Sequence, residues 1–490
     1  MHDTEVFGLV VAAVALGLLL AVLSNRVSER VRVPAPAFFL VGAAVLSDLF
    51  PNLGRLSTVA VQHAVTVALV LILFNGGVDI GWPTFRRNAV AIVWLGVAGT
   101  LVTAAALAVL AHQIFGFDWL PSLLLATALS PTDPAVVFAV LGRREVTGRA
   151  GTLLEGESGA NDPVGIALLL VLLSAGSDAG LGTVAGGLAA FALQLGLGAA
   201  AGWLGGKALL VLMRRVGLPS EGLYPLAVLA GVGLIFGATT AVGGSGFLAV
   251  FVAGVVVGDA RAPYKREIER FHASLASLGE IVAFALLGLS VQLHTLADPK
   301  VWLVGLALAM ALALVVRPVL VGLVIAPLDL RRNERVFILW AGLKGAVPIL
   351  LGSFILTSDQ PEAPRLFGIV VVVVAISVVV QGGLVPTVAD RVGLPVRTVQ
   401  PEPWALGMRL QHEPHGLREY DIAVGSPADG STIAGLPVGE EAWISIVSRD
   451  GELLQVRGDT VLGAGDRVLV LVETGHGADV DRVFRAPDEG

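Results

Sequence analysis

Residues 155–163 read Glu-Gly-Glu-Ser-Gly-Ala-Asn-Asp-Pro, which sets three carboxylates, Glu155, Glu157 and Asp162, within eight positions of the apolar run 151–174. In a low-dielectric setting they do not all stay ionised: one takes a proton, or a cation arrives to pair with it. A carboxylate that holds a proton or a metal ion, never both, is the chemistry of exchange. Asp162 is the deepest of the three and is the candidate, against the plainer reading of a structural carboxylate satisfied by a neighbouring helix. On a helix Ser158 and Asp162 share a face, as do Glu157 and Asn161.

A second group, Ser130-Pro-Thr-Asp-Pro134, interrupts the apolar run 119–141. Proline has no N–H, so carbonyls lose their helical donors there. With the Thr132 hydroxyl and the Asp133 carboxylate they make a set of hard oxygen ligands for a small cation. At a loop the same residues would be a helix N-cap. A third group, Lys344-Gly-Ala-Val-Pro348, breaks the run 335–357. The chain has only four lysines, and a buried cation needs a partner. A Lys344–Glu157 bridge joining the two halves of the chain is expected, shared by Arg317, with Glu155 as the other available acid. Lys207 lies near the end of a long run and is expected to snorkel. Asn75, in Leu-Phe-Asn-Gly-Gly, either adds an oxygen ligand or packs between helices.

The elements that position these groups follow from composition. The 490 residues are 55% hydrophobic and 14% charged, with a mean hydropathy of +0.82. A soluble chain carries roughly a quarter charged residues. A secreted enzyme, a nucleic-acid binder and a disordered scaffold are excluded, and the absence of cysteine removes disulfides and thiolate chemistry. Roughly thirteen apolar runs between residues 5 and 388 are long enough to span a bilayer. The first has an acidic start and no small-residue cleavage site, so it reads as a span and not a leader. Seventeen basic residues fall in loops after odd-numbered spans and three in the alternate loops. That asymmetry predicts an odd span count, an outside N-terminus and a cytoplasmic C-terminal domain. The broken fifth and twelfth spans lie seven apart, so spans 1–6 and 8–13 enter the membrane in opposite senses, as two inverted six-helix repeats. Paired interrupted helices point to a transporter site. Residues 401–490 hold 16 acidic residues against 7 arginines and no lysine, so the net charge of −7 belongs to this tail.

Thr132-Asp133-Pro134, Glu157-Ser158-x-x-Asn161-Asp162 and Gly342-Leu343-Lys344-Gly345-Ala346-Val347 together resemble the NhaP-type monovalent cation:proton antiporters, over nearly all of residues 5–390. The resemblance implies an NhaA-like fold with crossed broken helices 5 and 12, a homodimer and alternating access. It implies that Asp162 carries the proton or the transported K+ or Na+, which is cargo and not a structural metal. Thr132, Asp133 and Ser158 then line the site, and Asn161 locks Asp133 or the crossing. Relatives with Asn before the essential aspartate are typically electroneutral. Two positions depart from or vary in the family: arginine is usual where this chain has Lys344, and lysine lacks the bidentate fork. Some relatives carry an acid at the position of Asn75.

Residues 419–485 resemble the TrkA-C (RCK-C) regulatory module, a small α+β unit. An Asp450-Gly451 turn reads as a hairpin and Asp429-Gly-Ser-Thr as a helix start. No Gly-x-Gly-x-x-Gly turn occurs, so the nucleotide-binding half is missing. Modules of this kind pair and bind small ligands, so the resemblance implies a regulatory ligand, nucleotides included, and no other cofactor. The expected organisation is a transmembrane exchanger domain over 1–390, a proline-rich linker over 391–415 and the TrkA-C domain over 416–486. The expected function is electroneutral K+/H+ exchange for cytoplasmic cation, pH and volume homeostasis in a bacterial inner membrane. Its partners are a monovalent cation, a proton and the lipid bilayer, with no nucleic acid. Na+/H+ exchange is the alternative within the fold. A ligand-gated potassium channel or uptake protein would need Thr-x-Gly-type carbonyl filter loops, which do not occur. A serine hydrolase at Ser158 would need a general base, and the histidines fall at span ends, in loops or in the tail.

Overall fold

The computed structural model describes residues 8, 11, 12, 14–24, 34–50, 57–142, 144–146, 148–175, 181–260, 262–291, 293–296, 298–398, 417–438, 442–449, 452–472 and 477–484. Residues 1–399 form one compact unit and 400–490 another, each with its own hydrophobic core.

The first unit is built from helices α1 (Val14–Ser24), α2 (Ala35–Leu49), α3 (Thr58–Ile80), α4 (Trp82–Phe115), α5 (Trp119–Ala128), α6 (Pro134–Leu141), α7 (Arg149–Ala175), α8 (Leu181–Arg215), α9 (Leu223–Ala241), α10 (Gly246–Gly258), α11 (Lys265–Leu289), α12 (Pro299–Ile325), α13 (Arg332–Trp340), α14 (Ala346–Leu356), α15 (Ala363–Gly382) and α16 (Val385–Val392). Among the described residues seven of these, α3, α4, α8, α9, α11, α12 and α15, are long and apolar enough to cross a membrane, and α1, α2, α5, α10 and α14 are shorter apolar helices. Their starts follow local chemistry. Ser57, Ser245 and Asp298 each cap the helix that follows by accepting a first-turn N–H, at 3.1, 3.3 and 2.9 Å. At the centre α15 buries every residue from Ile369 to Val374, the pattern of a helix that is apolar all round.

The fifth and twelfth expected spans are each two half-helices. α5 stops at Ala128 and α6 begins at Pro134; α13 stops at Trp340 and α14 begins at Ala346. α7 continues unbroken through Pro163, whose missing N–H leaves the Gly159 carbonyl without a helical donor. Three long helices widen into π-helical turns, Leu95–Gly99 in α4, Leu312–Val321 in α12 and Ser377–Gly382 in α15. The turn in α12 contains Pro318, and a proline inside a helix disturbs the i→i−4 ladder in this way.

After α6, strand β1 (Arg144–Val146) pairs antiparallel with β2 (Val396–Thr398), and Arg144 bonds Asp390 at 2.8 Å. Asn333 on α13 donates to the Gly393 carbonyl at 3.1 Å. The start of the expected linker 391–415 is therefore ordered helix end and strand; its remainder, from 399, lies outside the described residues.

The second unit is a four-stranded antiparallel sheet in the order β3 (Leu417–Asp421), β6 (Arg467–Val472), β4 (Ala442–Arg449), β5 (Glu452–Leu454), with helix α17 (Gly477–Phe484). Alternation buries Ile444, Val447, Val468, Val470 and Val472 on one face, where Tyr420 stacks on Phe484 at 4.9 Å. A register shift between Ile444 and Ile446 marks a bulge. Arg449 pairs with Glu452, the register a two-residue hairpin requires, while Asp450 and Gly451 themselves lie outside the described residues. The expected helix start at Asp429 is only a single 3-10 turn, Ile433–Gly435. The Asp429 carboxylate is used instead to accept from the Gly425 and Ala464 N–H groups, which ties two loops together.

Candidate functional site

The two breaks in the membrane unit cross each other. The Asp133 N–H donates to the Leu343 carbonyl at 2.8 Å, one extended segment against the other. Such close approach needs glycine: a Cβ at Gly345 would overlap the Asp133 carboxylate, and one at Gly342 the Arg317 guanidinium. Asp133 caps α6 by accepting from the Ala135 N–H at 3.0 Å. The helix-start and broken-span readings of Ser-Pro-Thr-Asp are thus both correct, because a half-helix begins at mid-span.

Lys344 is fully buried, and its ammonium donates to the carbonyls of Ser130 and Pro131 at 2.8 and 2.9 Å. These carbonyls belong to the proline-broken segment and carry a partial negative charge at a helix end. The expected Lys344–Glu157 bridge is not formed. Glu157 pairs with Arg317, which donates to both carboxylate oxygens at 2.9 and 3.4 Å with both side chains almost wholly buried. The same guanidinium donates to the Leu339 and Ile338 carbonyls at 3.2 and 3.0 Å, closing the end of α13. The physical reason is donor geometry. A planar fork can serve a carboxylate and two carbonyls at once, whereas a compact ammonium suits two converging carbonyls.

Asn161 donates its amide to the Thr132 hydroxyl at 2.7 Å and so locks α7 to the first break, leaving Asp133 to its cap. Beside this contact lies a cavity of about 90 Å³, lined by the carboxylates Asp133, Glu155, Asp162 and Glu280, by Ser158, and by the rings of Phe251 and Phe284. Asp162 is 96% buried, and its Oδ1 has no hydrogen-bond partner among the described residues. The structure therefore gathers Asp133, Ser158 and Asp162 at one chamber and sets Thr132 and Asn161 behind it, holding each other. Asn75 is not part of it. Its amide donates to Asp79 at 2.8 Å, one turn along α3, and it is not among the residues that line the cavity.

Three residues of the site were not singled out from sequence. Glu280 sits mid-way along α11, and the rule that intramembrane acids are functional would have found it. Ser377 accepts from the Lys344 N–H at 2.9 Å, and the Gln381 amide donates to the Trp340 carbonyl at 2.7 Å. Both come from the π-helical turn of α15 and satisfy backbone groups released by the break in the twelfth span; no sequence signal marks them.

Residues 7–391 match the family model "Sodium/hydrogen exchanger, transmembrane", and residues 417–485 match the TrkA-C domain. The chain belongs to the sodium/hydrogen exchanger family. The exchanger is thus a multi-pass membrane protein with a TrkA-C module. Among curated relatives, it is 31% identical over 488 residues to the K(+)/H(+) antiporter NhaP of Alkalimonas amylolytica, covering 98% of this chain and 84% of that protein. It is 33% identical over 470 residues to the K(+)/H(+) antiporter NhaP2 of Shewanella sp. (strain ANA-3), covering 93% and 80%. Its fold matches the solved sodium proton antiporter MjNhaP1 from Methanocaldococcus jannaschii with a TM-score of 0.65 and 21% identity, over 77% of this chain and 99% of that one.

Proposed function

We propose that this exchanger swaps a monovalent cation, K+ in the first instance, for a proton at Asp162. The observation that carries the reading is a carboxylate 96% buried, with one oxygen unpartnered among the described residues, at a small chamber beside two crossed helix breaks. In such a setting a lone charge is costly, so the carboxylate binds either a proton or a cation, and one excludes the other. The two basic side chains at the crossing are already committed. Arg317 neutralises Glu157, and Lys344 places one positive charge on the crossing near Asp133. Asp162 then contributes one exchangeable charge per cycle, which supports an electroneutral one-for-one exchange. Ser158, one turn before it, offers a hydroxyl oxygen to a cation that has shed water.

The K+ preference rests on the relatives named as K(+)/H(+) antiporters; Na+ is the alternative favoured by the sodium proton antiporter of like fold. The finer architecture proposed with this function is a homodimer of thirteen-span protomers. Each contains inverted six-helix repeats and a linker over residues 391–415. The N-terminus lies outside a bacterial inner membrane and the TrkA-C unit in the cytoplasm, where it binds a small regulatory ligand. Supporting the orientation is the excess of basic residues in alternate loops. The test is proton movement in everted vesicles loaded with a ΔpH. K+ addition dissipates the gradient with wild-type protein and fails to with Asp162→Asn. Full exchange by Asp162→Asn would remove this residue from the mechanism.

A further inference from the structure

Glu280 lines the chamber, and neither the crossing nor the Arg317–Glu157 pair described above employs it. It reaches the cavity from α11, whereas Asp162 reaches it from α7. Its Oε1 is shielded from solvent and, like Asp162 Oδ1, has no hydrogen-bond partner among the described residues. Both orphan oxygens belong to side chains that line one volume of about 90 Å³. That is room for roughly three waters at their liquid volume, or for a cation with a reduced shell. Asp133 lines the same cavity. Lys344 at the crossing donates its ammonium hydrogen bonds to the Ser130 and Pro131 carbonyls. Phe251 and Phe284 form apolar wall and offer no donor.

An acid with a buried, unbonded oxygen costs folding free energy that a leucine of similar size would not. A ligand role accounts for its presence. A monovalent cation stripped of water needs several oxygens, and Asp162 with Ser158 supplies only part of a shell from a single helix. We propose that Glu280 is a second carboxylate ligand of the transported cation, facing Asp162 across the chamber, and that the pair holds two protons in the proton-loaded state and one proton plus one cation in the cation-loaded state. The balance stays one cation for one proton. The proposal rests on Asp162 being the exchanging carboxylate and adds which residue completes the cation's shell.

The experiment uses the full-length chain reconstituted in proteoliposomes, with initial rates of ΔpH dissipation measured against K+ and, separately, Na+. Glu280→Gln raises the half-saturating K+ concentration about tenfold, which is ~1.4 kcal/mol of binding, while the maximal rate falls by less than a factor of about three. Glu280→Asp, which keeps the charge and withdraws it by one methylene, gives an intermediate shift and serves if the Gln variant fails to reach the membrane. In detergent, the K+ concentration that raises the unfolding temperature moves by the same factor, a readout independent of transport. Half-saturation equal to wild type in both variants, or a loss of maximal rate at unchanged half-saturation, overturns the proposal and makes Glu280 structural. Wild-type protein that shows no cation-dependent ΔpH dissipation would instead sink the exchange reading itself.

Discussion

Replacing Arg317 with methionine strips the crossing of its most connected side chain. Arg317 donates to Glu157 at 2.9 and 3.4 Å and to the Leu339 and Ile338 carbonyls at 3.2 and 3.0 Å, with its side chain 3% exposed. Breaking one side of a buried ion pair costs about 3–5 kcal/mol, because the surviving charge stays buried and unpaired. Each abandoned carbonyl adds about 1 kcal/mol or more. These terms overlap, so the expected loss for Arg317→Met is about 4–6 kcal/mol, most of it due to Glu157. That attribution has a consequence. Glu157→Gln removes the stranded charge, so adding it to Arg317→Met restores part of the loss, and the two singles exceed the double by about 2–3 kcal/mol. The assay is reversible unfolding of purified protein in mixed micelles, with wild type, both singles and the double forming one thermodynamic cycle. Additivity within about 0.5 kcal/mol would refute the pair as the reason these helices hold together. The same cycle run on Lys344→Met and Glu157→Gln is expected to show a smaller coupling than the Arg317 cycle, since those two side chains share no hydrogen bond.

Lys344→Arg, although it conserves charge, is expected to reduce the maximal exchange rate. The guanidinium is larger than the fully buried site that now holds an ammonium against two carbonyls, and the vesicle ΔpH assay reads the change. Gly345→Ala is expected to abolish exchange and lower the membrane yield, because its Cβ would overlap the Asp133 carboxylate; wild-type rates in this variant would show that the crossing relaxes easily. In the TrkA-C unit, Asp466→Asn is expected to destabilise the sheet by about 1–3 kcal/mol, read as faster amide exchange over 442–472. The Asp466 carboxyl is held below its ordinary range, first by the Arg449 guanidinium, which donates to it at 2.7 Å, and then by the Gly463 N–H. A depressed carboxylate stabilises the fold fully above its unfolded value, near pH 4, and loses that contribution as pH falls through the folded value. Amide protection in this sheet is therefore expected to fall in acid for wild type and to respond far less for Asp466→Asn.

Much of the site was legible before any coordinates, because its signals are local. Two prolines three residues apart must interrupt a helix wherever it lies, so Ser130–Pro134 marked a break. Three acids in an apolar run cannot all be charged, so residues 155–162 marked a titrating or cation-binding segment. Asn161 and Thr132 needed only a crossing to meet, and they bond at 2.7 Å. Asn75 was left open between ligand and packing, because glycines beside an amide do not say which way it faces; its amide donates to Asp79 one turn away. The Asp429 segment carries helix-start residues but spends its carboxylate on two loop N–H groups instead of a helix.

What the chain by itself determined was an inventory: which groups are buried charges, where backbone bonds must break, and that every such group needs a partner. Which partner each one takes was decided only by tertiary structure. Glu157 had both Arg317 and Lys344 on offer, at similar sequence distance and of the same charge. The choice turned on the π-helical turn that presents Arg317, and on the two proline-released carbonyls that take Lys344. Glu280 shares the point: its identity is in the sequence, but its place at the chamber of Asp162 depends on how α11 is turned against its neighbours. Charge and hydrogen-bond demand are properties of residues, whereas their satisfaction depends on distance and direction between segments more than a hundred residues apart.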